Sequence, residues 1–116
     1  GSMLALGHAL AQALGARYGL PHGALNVVCL PAALRFNEPV AGEAVRRFAE
    51  ALGADDAAEG VERLAREAGF ARLRDLGVPG DELDAVAEIA AARPGTAANP
   101  RAASAAEIAE LLRSVW

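Results

Sequence analysis

Apolar residues along this chain recur at three- and four-residue intervals, and glycine and proline punctuate the runs, as in a series of short helices. Leu6, Leu10 and Leu14 form one stripe on a first helix from Leu4 to Tyr18. Gly19-Leu20-Pro21 ends it, because proline removes a backbone donor and restricts the residue before it. A second helix starts at His22 or Gly23 and reaches Asn37. It is apolar nearly all round (Leu25, Val27, Val28, Leu30, Leu34, Phe36), which predicts burial at the centre of the fold. Pro31 inside it is expected to produce a kink and to free the carbonyl of Val27, and Asn37-Glu38-Pro39 is expected to end it.

The third helix is predicted from Ala41 to Leu52, with Val45, Phe48 and Leu52 inward and Gly53 as its stop. Asp55 is the expected cap of a fourth helix whose inward face is Val61, Leu64, Ala65 and Ala68, closed by Gly69. Phe70, Leu73 and Leu76 make a short helical turn before Gly77-Val78-Pro79-Gly80. Asp81 is the expected cap of a fifth helix with the stripe Leu83, Val86, Ile89 and Ala90, ended by Arg93-Pro94-Gly95. Thr96 to Ala103 reads as irregular, and Ser104 with Glu107 forms a capping box that opens a last helix carrying Ile108, Leu111, Leu112 and Val115. No segment has the period-two alternation of a strand. The predicted class is all-α, an antiparallel multi-helix array.

Composition strengthens that reading. Thirty of the 116 residues are alanine, the best helix former, and aromatics are only 4%. The length suits one domain rather than two. All 11 basic residues are arginine, a bias that points to genome base composition, and they are scattered among acidic neighbours. With a net charge of −4, the chain lacks the basic patch of a nucleic-acid surface. Cys29 is the single cysteine, so neither an intrachain disulfide nor a thiolate cluster is available, and a small buried hydrophobe is its expected role. No apolar run approaches the roughly 20 residues of a membrane span, and no secretory signal is visible, so a cytoplasmic protein is expected. Gly1, Ser2 and Met3 read as an expression scar, and from Leu4 the chain enters a helical pattern with no cap before it. Residues 4–116 are therefore expected to be a piece of something longer.

Candidate chemistry is confined to the first hairpin. The two histidines, His8 and His22, lie on either side of the turn, and Gln12 shares the His8 face at i+4. A short connection makes the two helices antiparallel neighbours, which lets both imidazoles converge on a divalent cation at about 2.0–2.1 Å. A catalytic site needs at least three protein ligands, however, and the nearest carboxylate, Glu38, is at the far end of the second helix. On spacing alone the pair reads more readily as a partly buried, turn-capping histidine beside a second, unrelated one.

The stretch from Gly7 to Asn37, GHALAQALGARYGLPHGALNVVCLPAALRFN, resembles the iron-containing alcohol dehydrogenases and their maleylacetate reductase relatives. The similarity lies in the histidine followed by L-G, the P-H-G at Pro21-His22-Gly23, the internal L-P and the terminal F-N; Asn99-Pro100-Arg101 and the I-x-x-L-L helix after it extend it. This resemblance implies the helical C-terminal domain, of dehydroquinate synthase-like fold, of a two-domain oxidoreductase whose N-terminal α/β domain binds NAD or NADP. It implies a divalent metal, iron or zinc, held by one aspartate and three histidines, the last two matching His8 and His22. A small alcohol or carbonyl compound is the implied substrate. Many members carry a further histidine where this chain has Gln12, whose amide can orient a substrate oxygen but does not titrate near neutral pH. Gly23 would let backbone approach the metal or nicotinamide, or would ease hairpin packing. Arg17 and Tyr18 are placed near the turn as half-exposed packing residues, and Asn99-Pro100-Arg101 as an anchor for the last helix. No glycine-rich phosphate loop is present, so the chain alone is expected to be inactive, to bind metal weakly and to need its missing α/β domain. The alternative is a stand-alone helical interaction module that pairs through alanine-rich surfaces. Self-association into a homo-oligomer is expected on either reading.

Overall fold

The computed structural model describes residues 3–116, and among them there are helices and turns but no strand. The helices are α1 (Ala5–Tyr18), α2 (His22–Leu52), α3 (Ala57–Glu67), α4 (Leu83–Ala91), α5 (Pro94–Ala97) and α6 (Ala105–Val115), with 3-10 turns at Leu73–Leu76 and Gly80–Glu82. The all-α class is as the pattern predicts. Gly1 and Ser2 lie outside the described residues; Met3 accepts a hydrogen bond from Asn37 through its carbonyl.

The long α2 organises the rest. Its first half packs against α1 and α6, and α4 closes the same core against those two helices, around Leu6, Leu10, Leu14, Leu25, Val28, Leu73, Val86, Ile108 and Leu112. Its second half builds a smaller cluster with α3, from Leu34, Val45, Ala49, Ala57, Ala58 and Val61. Cys29 is fully buried, and burial pushes its thiol up to about 12, as befits a small core residue.

Several expected boundaries move. The predicted break at Asn37-Glu38-Pro39 does not occur: helix continues through both prolines, and Ala41 alone leaves the helical region, at φ −132° and ψ 29°. Near Pro39, Nη1 of Arg101 donates to the Phe36 carbonyl at 2.8 Å, giving that turn a donor from outside the helix. Asp56, not Asp55, caps α3, its carboxylate accepting from the Glu59 amide at 2.9 Å. Leu64 and Ala68 are exposed rather than inward: the buried stripe of α3 runs through Ala57, Ala58, Val61 and Ala65, and Leu64 lies about 100° round the helix from Ala65. Asp81 falls within a 3-10 turn and caps nothing, since α4 begins at Leu83 with no side-chain cap. Ala87 takes the buried place expected of Ile89, which lies about 100° round the helix from Ala90. Pro94 opens α5 instead of only closing α4, as suits proline at a first helical position. The Ser104–Glu107 capping box stands as predicted, with bonds of 3.0 and 3.1 Å.

Candidate metal centre

Gly19 ends α1 in the left-handed conformation, at φ 66°, with its N–H on the Gly15 carbonyl, and Pro21 holds the extended geometry from which α2 departs. The three-residue link turns the chain back on itself. A Cβ added at Gly7 would meet Leu30, and one added at Gly15 would meet Leu25, so the two helices run antiparallel. Gly7 also sets the distance between them, because that Cβ would lie 3.3 Å from Cδ1 of Leu30.

This hairpin brings the two histidines together. Their ring centroids are 6.1 Å apart and their planes differ by 4°. Both side chains are exposed rather than sealed in the core. Metal–nitrogen bonds of about 2.0–2.1 Å place the bonded nitrogens of two such rings roughly 3–4 Å apart, with the centroids further out. No group of three or more His, Cys, Asp or Glu side chains among the described residues is arranged to hold an ion. The donor set therefore fits a metal as two neutral nitrogen ligands, and further ligands would have to come from outside this chain.

Around the histidines the surface is built in matching pairs. Gln12 lies one turn beyond His8 on α1, exposed, and Asn26 lies one turn beyond His22 on α2, half-buried. Leu4, Gly7, His8, Asn26 and Leu30 line a hollow of about 120 Å³. Asn26 was missed by the sequence reading, although its i+4 spacing from His22 is the same signal that marks Gln12. Its side-chain amide makes no hydrogen bond to another described residue and is free to face a ligand. Beside Gly23 an added Cβ would meet nothing within 4 Å, so the missing side chain leaves open space and is not required by hairpin packing.

The other residues singled out hold structure. The Tyr18 hydroxyl donates to Glu82 at 2.5 Å, and Nε of Arg17 lies 3.4 Å from the same oxygen, fastening the end of α1 to the turn before α4. These bonds hold the Glu82 carboxyl below its ordinary range, the Tyr18 hydrogen bond most of all. Asn99 and Arg101 anchor the segment before α6: Asn99 pairs with Asn37, while Arg101 stacks on Phe36 at 4.0 Å and lies 3.9 Å from Glu107.

Comparison with known proteins accords with this geometry. Residues 2–116 match the model of the Fe-containing alcohol dehydrogenase family, C-terminal. Lactaldehyde reductase of Escherichia coli strain K12 is 35% identical over 97% of this chain and 33% of its own length. Maleylacetate reductase of Burkholderia cepacia is 37% identical over 84% of this chain and 28% of its own. Among solved structures, a 1,3-propanediol oxidoreductase superposes with a TM-score of 0.88 at 32% identity, covering 96% of this chain and 32% of that one. The chain thus spans about a third of the length of the relatives it matches. By sequence and by fold, it belongs to the Fe-containing alcohol dehydrogenase family and corresponds to the C-terminal helical part of its members.

Proposed function

We propose that this chain is the metal-facing helical domain of a two-domain, nicotinamide-linked alcohol dehydrogenase or maleylacetate reductase, working in the cytoplasm on a small alcohol or carbonyl compound. The observation that carries the reading is the exposed, parallel pair His8 and His22, held 6.1 Å apart by a rigid antiparallel hairpin. These two imidazoles would hold a divalent cation, iron or zinc, with an aspartate and a third histidine contributed by an N-terminal α/β domain that also binds NAD or NADP. When bound, the cation supplies Lewis-acid polarisation of the substrate oxygen.

The residues of this chain do the positioning. His8 and His22 present ring nitrogens from two helices locked together by Gly7 and Leu30, so little ordering is left for ligand binding. Gln12 and Asn26 flank the pair with neutral amides that can donate to a substrate oxygen and accept from a hydroxyl. A bound nicotinamide would supply hydride transfer, and oxidation of an alcohol also requires its hydroxyl to give up a proton. Gln12 cannot store that proton, so it must pass to water or to a group on the other domain. The apolar wall of Leu4 and Leu30 suits the carbon skeleton of a short substrate and keeps water from one side of it.

The test is nicotinamide-linked turnover and metal content of the full-length protein and its His8→Ala variant. We expect metal to be lost from the variant and turnover to fall by about 100-fold or more. The 116-residue chain alone should show no turnover. Undiminished metal and activity in His8→Ala, or activity in the chain alone, would overturn the proposal.

A further inference from the structure

Between α2, α3 and the end of α6 lies a cleft of about 200 Å³. Its α2 wall is Val27, Val28 and Pro31, centred roughly 150° round the helix from the stripe of His22, Asn26 and Leu30. Ala65 and Val115 extend the apolar lining, and Val28, Pro31 and Ala65 within it are buried. Two arginines stand at this lining, Arg66 in the last turn of α3 and Arg72 just past it. Gly69, at φ 92°, turns the chain between them, so that both border the one cleft. Neither has a carboxylate within ion-pair range among the described residues. The nearest ones are taken: Glu62, which also lines the cleft, accepts two bonds from Arg35, and Asp75 accepts from the backbone amide of Arg72. Arg66 acts on Glu62 only through its field, which adds to the Arg35 hydrogen bonds in holding that carboxyl low.

The cleft thus carries two cations against a single carboxylate, and Arg35 already neutralises that carboxylate. Unpaired guanidinium groups favour an anion with oxygen acceptors, and the valine and proline lining favours a hydrocarbon body beside it. The volume falls below the roughly 300–1,000 Å³ of a drug-sized site, so the occupant is small. We propose that this cleft is a binding site, separate from the metal centre, for a small organic anion whose carboxylate or phosphate pairs with Arg66 and Arg72 while its hydrocarbon body lies on Val27 and Val115. The body of α2 stands between this site and the histidines, so the ligand is not the substrate of the metal centre and its binding does not depend on the metal.

The test titrates benzoate and phenyl phosphate into the 116-residue chain while its backbone amides and the Nε–Hε groups of Arg66 and Arg72 are followed by NMR. Benzyl alcohol, which keeps the ring without the charge, and inorganic phosphate, which keeps the charge without the ring, are the controls. We expect saturable shifts at Val27, Ala65 and Arg72 with at least one of the two aryl anions, the tighter binder showing which charged group the arginines prefer. Arg66→Ala and Arg72→Ala should each weaken that binding by about tenfold or more, whereas Arg46→Ala, at an exposed site outside the cleft, should change it by less than about twofold. Arg66 and Arg72 are themselves exposed, so both variants keep the fold. The proposal is overturned by no saturable shift with either anion, by an equal response to benzyl alcohol or to inorganic phosphate, or by binding that survives the loss of either arginine.

Discussion

Asn37 and Asn99, 62 residues apart, exchange two side-chain hydrogen bonds of 2.8 and 2.7 Å in the interior, each amide donating to the other's carbonyl. Asn37 also donates to the Met3 carbonyl and Asn99 to that of Arg101, so one buried knot ties the start of the chain, α2 and the segment before α6. Asn37→Ala should leave the Asn99 side-chain oxygen and one of its two N–H groups unpaired, the other still on the Arg101 carbonyl, and cost about 1–3 kcal/mol, a fall in Tm of several degrees. In a double-mutant cycle, removing both asparagines should cost clearly less than the sum of the single changes. Additive losses by chemical denaturation would show that the two side chains act independently.

The cap of α3 gives a sharper local test. Asp56 accepts from the Glu59 amide, while Asp55 is exposed and bonds to nothing in the helix. Asp56→Ala should destabilise the fold by about 0.5–2 kcal/mol, and Asp55→Ala should stay within about 0.5 kcal/mol of the parent. Reversed effects in paired thermal melts would place the cap at Asp55, as the sequence pattern alone had it.

These two cases show what can be read from the chain and what cannot. Local chemistry was legible wherever a single residue type decides it: Gly19 and Gly53 in left-handed caps, the Ser104–Glu107 box, the Pro21 turn that brings His8 and His22 together. Features decided by partners remote in sequence were not. Asn37-Glu38-Pro39 looks like a terminator, yet Asn37 turns inward to Asn99, Arg101 donates to the Phe36 carbonyl, and α2 carries on to Leu52 with a kink at Ala41. Leu64 looked inward because spacing alone does not show which flank of the Val61–Ala65 stripe the neighbouring helix covers. Beside His8, Gln12 was found through its spacing, whereas the contact of Arg93 with the Gln12 carbonyl, 81 residues away, exists only in the folded chain.

The Arg35–Glu62 pair makes a prediction about pH. Two bonds, of 3.0 and 2.7 Å, join α2 to α3, and the Arg35 hydrogen bonds hold the Glu62 carboxyl below its ordinary 4.5. A carboxyl lowered by folding adds stability above its unfolded value, and that contribution is lost as pH falls through the depressed folded value. The side chains are 50% and 36% exposed, so solvent screening limits the pair to about 0–1 kcal/mol at pH 7. The stability difference between the parent and Glu62→Gln should therefore be small at pH 7 and shrink once the pH drops below 4.5. A difference that is constant with pH, or grows in acid, would contradict this.

The central claim is that His8 and His22 address one cation together, and with only two histidines in the chain their ring nitrogens can be followed without ambiguity. The direct measurement is a zinc titration of the 116-residue chain and its His8→Ala variant, monitored by NMR of the imidazole nitrogens. The account predicts that both rings respond in a single shared step, weak because two ligands are few, and that His8→Ala abolishes the response of His22. Two rings titrating separately, or a His22 response that survives the loss of His8, would contradict it.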